Sequence, residues 1–290
     1  MASGSRVCTQ CGALNSIDDK ACYRCGKRMA GPLATSAQGI FSDFSADGVP
    51  VTKLMALMCI VVYGLMVMSD GGFKLDLSIV GSFKGSSLLR LGALHERVTG
   101  EPWRVLSAVF VHFGLLHIGL NMMSLVSLGR TLEPHLGSAR FLILYIATGI
   151  FGFAATLWWW DFSASPVPRV TAGASGAIFG LVGAFVGVLM ARRSPNWKRI
   201  LVNNLVYCAI LGFVLPANNA AHLGGFVAGI GLGALMEREP QPRKRDALMR
   251  VIAAVCLLSS VVSVVLCDRS PIWKLLREVE EAQQFRRDSE

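Results

Sequence analysis

Four polar side chains stand in stretches that are otherwise apolar: Ser175, His222, His117 and Asn121. Polar and ionisable groups inside membrane-length apolar runs are expensive, which makes them candidates for chemistry. A serine hydroxyl is a weak nucleophile until a neighbouring base takes its proton. A neutral imidazole can take that proton and later return it to a leaving amine. Negative charge building on an attacked carbonyl oxygen needs hydrogen-bond donors, each typically worth about 3–4 kcal/mol in the transition state. His117 and Asn121 carry side-chain donors. Ser175 lies at a helix start, where backbone N–H groups are free and the dipole is positive. Taken singly each residue has a bland reading: serine packs membrane helices and a lone histidine is often structural. Together they describe acyl transfer to a serine. No acidic residue shares their level in the same spans, so a Ser–His dyad fits better than a triad.

The elements that must bring these groups together are membrane spans. Of 290 residues, 53% are hydrophobic and only 16% charged, too apolar for an ordinary soluble domain. Seven stretches approach the roughly 20 apolar residues that a bilayer crossing needs: 52–69, a span within 105–132, 140–160, 171–191, 200–216, 219–236 and 247–267. Arg130 and Arg140 follow the second, Arg192, Arg193, Lys198 and Arg199 the fourth, and Arg238, Arg243, Lys244, Arg245 and Arg250 the sixth. The loops after spans three and five hold only Arg169. The positive-inside rule makes the basic loops and the N-terminus cytoplasmic and the C-terminus extracytoplasmic, with the plasma membrane as the expected location. The loop 70–103 carries four basic residues on the outer side, but long loops weigh less in that rule. The net charge of +9 is then loop charge, and the lipid bilayer rather than nucleic acid is the expected partner. Residues 1–28 lack the apolar segment of a signal peptide.

Depth brings the four residues to one level. Spans two, four and six run in the same direction, and Ser175, His222 and His117 fall within roughly 3–6 Å of their outer ends at 1.5 Å per residue. Asn121 lies one turn below His117 on the same helix face. The stretch Val105–Leu132 has 28 residues, more than one crossing needs. Residues 105–114 are therefore expected as a re-entrant or interfacial piece beside a cavity open to the outside. Spans four and six carry Gly173, Gly176, Gly180, Gly183 and Gly187, and Gly225, Gly229 and Gly233, small residues that let membrane helices approach closely. His222 lies three residues before Gly225, on the same face.

The strings WR at Trp103–Arg104, HFGLLHIGLN at His112–Asn121, GASG at Gly173–Gly176 and AHLGG at Ala221–Gly225 resemble the rhomboid family of intramembrane serine proteases. The resemblance covers about 52–236. It implies an all-α membrane protein, a six-helix core with a water-accessible cavity, and a seventh C-terminal transmembrane helix outside that core. It implies Ser175 as nucleophile, His222 as general base, His117 and Asn121 in the oxyanion hole, and single-span membrane proteins cut near the membrane surface as substrates. His112 matches a histidine of the family pattern, read as structural or cavity-lining. Phe179 stands where an aromatic residue, commonly tyrosine, packs on the catalytic histidine. Glu133 matches a family glutamate in a turn, but His135 stands where an arginine is usual, which puts the local salt bridge in doubt. Two other functions compete: a catalytically inactive rhomboid-like protein that binds client transmembrane segments, and a transporter, which would need midplane polar groups and broken helices in paired halves.

Ahead of the core, Cys8, Cys11, Cys22 and Cys25 read C-x2-C-x10-C-x2-C with a glycine after each pair. Four thiolates at this spacing can close a tetrahedral, structural zinc site, and the string resembles a zinc ribbon. A cytoplasmic N-terminus keeps such thiols reduced. What the ribbon binds on the cytoplasmic side is open. The expected organisation is a ribbon over 1–29, a linker over 30–51, the six-span protease core over 52–236, a loop and seventh span over 237–268, and an amphipathic tail over 269–290. Trp158, Trp159 and Trp160 are expected to form an interfacial belt at the outer end of the third span. Cys59, Cys208, Cys256 and Cys267 lie in apolar runs and read as small buried hydrophobes.

Overall fold

The computed structural model describes residues 5–7, 14–16, 21–22, 24–26, 48–72, 83–96, 100–163, 169–214, 218–239 and 242–289. The chain divides into two compact units, Met1–Pro50 and Val51–Glu290. In the first, β1 (Ser5–Val7) pairs antiparallel with β2 (Leu14–Ser16), Arg6 opposite Asn15. A tight turn follows at Cys22–Gly26, where Gly26 adopts φ +69° and its N–H donates to the Cys22 carbonyl (2.9 Å). Cys8, Cys11 and the expected linker up to residue 47 lie outside the described residues.

The second unit is helical. Its elements in order are α1 (Pro50–Ser69), α2 (Gly85–Leu91), β3 (Leu94–His95), α3 (Arg104–Ser107) running into a 3-10 turn at Ala108–Phe110, α4 (Leu115–Leu136), α5 (Ser138–Phe162) and β4 (Val170–Thr171). Then come α6 (Ser175–Ala191), α7 (Trp197–Val214), α8 (Asn219–Glu237), α9 (Pro242–Arg269) and α10 (Ile272–Ser289). A helix lies on each of the seven apolar stretches. By length and apolarity four described segments qualify as spans, Pro50–Ser69, Ser138–Phe162, Asn219–Glu237 and Asp246–Arg269; a fifth follows if Arg104–Phe110 and Leu115–Leu136 count as one broken crossing. Those two helical pieces meet at 93°, so the overlong second stretch is a bent entry followed by a span, as its length implied. α6, with 17 residues, is shorter, about 26 Å at 1.5 Å per residue. The chain is an all-α, multi-pass membrane protein. Its apolar exterior fits lipid as solvent: Leu57, Ile60, Val61, Leu223, Val227, Val255 and Leu258 are all more than half exposed or close to it.

α6 lies at the centre, packed between α5 and α8. The contact between α6 and α8 is backbone on backbone. A Cβ on Gly225 would collide with the Gly176 carbonyl, one on Gly229 with the Gly180 carbonyl, one on Gly183 with the Phe226 carbonyl, and one on Gly187 with the Ile230 carbonyl. Gly180 in turn receives the Thr148 side chain from α5. The glycine spacing read from the sequence thus sets the closeness of the two helices that carry Ser175 and His222.

The opposite end of the bundle is tied by polar side chains. Glu133 is 1% exposed and accepts from the Val51 N–H (2.9 Å), the Thr52 N–H (2.8 Å), Thr52 Oγ1 (2.7 Å) and Ser138 Oγ (2.7 Å). It therefore caps the start of α1, where backbone donors lack intrahelical partners. His135, standing where an arginine was the usual expectation, bonds Glu237 (2.9 Å), which also pairs with Arg192 (2.6 Å). A tie between α4, α6 and α8 is thus present despite the change. Arg140 pairs with Asp246 (2.7 Å) and Glu239 (3.0 Å), fastening the start of α9 to α5.

Candidate active site

Ser175 is the first residue of α6. The sequence reading started this span at 171, but residues 170–174 form a short strand and a turn instead. β4 pairs with β3, Thr171 opposite Leu94 and Val170 opposite His95. Arg169 reinforces the pairing through Glu96 (2.7 Å). Gly173 then takes φ +134°, and its N–H donates to the Ala108 carbonyl (2.8 Å). Small apolar residues such as Thr-Ala-Gly-Ala look helical by composition; the strand partner and the positive φ come from tertiary structure. The turn delivers Ser175 with the first-turn N–H groups of α6 free of helix partners.

His222 projects from the first turn of α8 and is 8% exposed. Its Nε2 lies 2.9 Å from Ser175 Oγ, within ordinary hydrogen-bond range. The Phe179 ring, one turn below Ser175 on α6, packs on the imidazole with centroids 4.3 Å apart and planes at 36°. The phenyl ring thus fills the aromatic position without a hydroxyl. Asn218 fixes the start of α8. Its Oδ1 accepts from the Ala221 N–H (3.0 Å), while its Nδ2 donates to Thr156 Oγ1 (2.9 Å) on α5 and Thr171 Oγ1 (2.9 Å) on β4. One side chain therefore caps the histidine helix and ties it to the strand that leads into Ser175.

His117 enters from the first turn of α4. The Phe113 N–H donates to its Nδ1 (3.3 Å), which leaves the proton on Nε2. That nitrogen faces the turn before Ser175: a Cβ on Gly173 would sit 2.9 Å from His117 Nε2 and 3.8 Å from Ser175 Oγ. Asn121 is 6% exposed and donates from Nδ2 to the His117 carbonyl (2.8 Å), using one of the two N–H groups of its amide. His112, fully buried, bridges two backbone groups: its Nδ1 donates to the Phe110 carbonyl (3.3 Å), and its Nε2 accepts from the Ala174 N–H (3.3 Å). His112 is structural, and what it holds is the residue before Ser175.

The four residues singled out from the sequence thus come from three helices to one end of the bundle. His112 was noted there without a defined contact. Asn218 and Thr171 were missed. An asparagine just before an apolar helix is a readable N-cap signal, but its links to Thr156 and Thr171 join residues too distant in sequence for any local pattern.

A serine hydroxyl and an imidazole in contact just inside a helical membrane bundle, beside a histidine N–H and a glycine-lined turn, define an α-helical multi-pass membrane protein with the side chains for acyl transfer. The family model for the Rhomboid domain matches residues 99–239. The chain is 32% identical over 148 residues to the putative rhomboid protease YdcA of Bacillus subtilis, covering 50% of this chain and 72% of that one. It is 37% identical over 166 residues to RHOMBOID-like protein 5 of Arabidopsis thaliana (53% of this chain, 51% of the relative) and 32% identical over 215 residues to the rhomboid protease GluP of Bacillus subtilis (73% and 39%). The chain belongs to the rhomboid family. It spans about half or less of the length of the latter two relatives.

Proposed function

We propose that this chain is an intramembrane serine endopeptidase that cuts transmembrane segments of membrane-protein substrates near the outer membrane surface. Ser175 Oγ attacks the scissile carbonyl while His222 Nε2 takes its proton. His222 then delivers that proton to the leaving amine, and water repeats the sequence to release the acyl group. The oxyanion is held by first-turn N–H groups of α6, by His117 Nε2–H and by the second N–H of Asn121. The observation that carries the reading is the 2.9 Å approach of His222 Nε2 to Ser175 Oγ. The positive-inside pattern supports a cytoplasmic N-terminus in the plasma membrane, with the site facing outward.

In the same reading Cys8, Cys11, Cys22 and Cys25 hold a structural zinc ion. The described half fits: the Arg24 N–H lies 3.4 Å from Cys22 Sγ, and Gly26 turns the chain with positive φ. An amide aimed at sulfur favours the thiolate a metal needs. Zinc there supplies folding free energy to a segment too short for a core of its own. A cytoplasmic partner for this ribbon fits the cytoplasmic N-terminus that the positive-inside pattern supports.

A fluorophosphonate probe tests the catalytic reading. Wild-type protein should label and Ser175→Ala should not. Labelling that persists in Ser175→Ala refutes Ser175 as nucleophile. Wild-type protein that neither labels nor cuts a single-span substrate points to an inactive, client-binding member of the family.

A further inference from the structure

The end of α9 and the length of α10 grip the segment between residues 84 and 110. Cys267, fully buried, lies 3.3 Å from Ser107 Oγ, itself fully buried. Ser270, 4% exposed, donates to Glu101 (2.7 Å), whose other oxygen neutralises the fully buried Arg104 (2.6 Å). Arg104 Nη1 reaches the Leu89 (2.7 Å) and Ala93 (3.0 Å) carbonyls that end α2. Asp268 pairs with Arg90 (2.6 Å), and Trp273 receives the same guanidinium on its ring at 4.9 Å. Further along α10, Leu276 and Glu280 close over Gly85, and the Glu280 carboxylate accepts from the Ser86 hydroxyl and N–H. The exposed Arg90–Asp268 pair is worth little alone; the buried contacts at Ser107, Glu101 and Ser86 define the seam.

The gripped segment is also what holds the turn before Ser175. Ala108, next to Ser107, gives its carbonyl to the Gly173 N–H (2.8 Å). Phe110 orients His112, which accepts the Ala174 N–H (3.3 Å). The hydrogen bonds from Gly173 and Ala174 thus both end on residues 108–112, and the end of α9 bears on the adjoining Ser107.

We propose that the end of α9 together with α10 is a strap that positions the nucleophile turn: Cys267 and Ser270 fix Ser107 and Glu101, and residues 107–112 pass that constraint to Gly173 and Ala174. The inference rests on Ser175 being the nucleophile. Ser270 is then a positioning residue, reaching the reaction through the turn.

The test uses full-length protein in liposomes and a fluorophosphonate probe at saturating concentration, at a temperature where every variant is folded. Ser270→Val should lower the saturated labelling rate constant roughly two- to thirtyfold, with the half-saturating concentration unchanged. Ser270→Thr, which keeps the hydroxyl, should restore it. Ser270→Ala, which removes the same hydroxyl with a smaller change of shape, should also slow labelling; this variant decides the matter if Ser270→Val does not fold. Hydrogen exchange at the Gly173 and Ala174 amides should quicken in the slowed variants. Wild-type labelling rates and unchanged exchange at those amides, even with a lowered thermal midpoint, overturn the strap and leave the helix a stabiliser only. Absence of Ser175 labelling in the wild type instead overturns the nucleophile, while the exchange measurement still judges the mechanical link.

Discussion

On the proposed function, Gly225→Ala should suppress cleavage without unfolding the protein. Gly225 sits three residues after His222 on the face of α8 that meets α6, and a methyl group there runs into the carbonyl oxygen of Gly176, the neighbour of Ser175. The obstacle is helix backbone, not a flexible side chain. Restoring ordinary van der Waals separation requires the two helices to part by more than about 1 Å. The 2.9 Å contact between Ser175 and His222 then lengthens past the roughly 3.2 Å limit of a hydrogen bond. A misplacement of about 1 Å can lower rate about 10²-fold, or about 2.7 kcal/mol. Overpacking of this kind destabilises by about 1–3 kcal/mol, offset in part by about 1 kcal/mol from the better helix propensity of alanine. The internal control is Gly231→Ala on the same helix, where an added Cβ meets nothing within 4 Å. The assay is cleavage of a single-span model substrate in liposomes, with thermal unfolding measured on the same preparations. Cleavage by Gly225→Ala within about threefold of wild type would sink the claim that backbone contact between α6 and α8 sets the geometry of the pair. Equal loss in Gly231→Ala would point to general helix loosening instead.

His222→Ala should insert and fold normally yet cut the same substrate roughly 10³-fold more slowly or worse; normal turnover removes the base from the mechanism. Asn218→Ala deletes the cap of α8 and should lower stability by about 1–2 kcal/mol, read as a reduced thermal midpoint. It should also slow fluorophosphonate labelling, because Thr171 and the histidine helix lose their common partner; an unaltered labelling rate refutes that link. On the proposed zinc ribbon, Cys22→Ser should lower the zinc content of the purified protein, measured by metal analysis, while cleavage in detergent persists. Proteolysis falling in step with zinc content would mean that the ribbon and the core are coupled.

Much of this architecture was readable in the residues. Continuous apolar runs announce helices because a membrane leaves the backbone little alternative, and the excess length of 105–132 foretold the break before Leu115. Depth along the spans, with glycine on the facing sides, was enough to bring Ser175, His222 and His117 into one neighbourhood, with Asn121 one turn along the His117 helix. What escaped were pairings between distant residues. The β3–β4 ladder that shifts the start of α6 from 171 to Ser175 depends on a partner about 76 residues away in sequence, and a two-residue strand has no period to detect. Asn218 reads locally as a cap, but its grip on Thr156 and Thr171 is set by how three elements meet. Glu133 was seen as a family glutamate in a turn, whereas its partners are the first donors of α1. Ser270 gave no signal, since a serine after a span is ordinary; Cys267 was read as a small buried hydrophobe and is buried, but its contact with Ser107 had no local signature.

The carboxylate of Glu133 also carries a consequence in time. The donors it satisfies at Val51 and Thr52 precede it by 82 and 81 residues. A ribosome therefore finishes α1 long before it makes the group that completes that helix's leading edge. During synthesis α1 must wait in the bilayer with its opening amides on water or lipid headgroups, and it locks into register only when the far end of α4 arrives. Translation arrested before residue 133, but late enough for α1 to have left the ribosome, should leave α1 inserted but loosely seated, with the start of the helix open to protease.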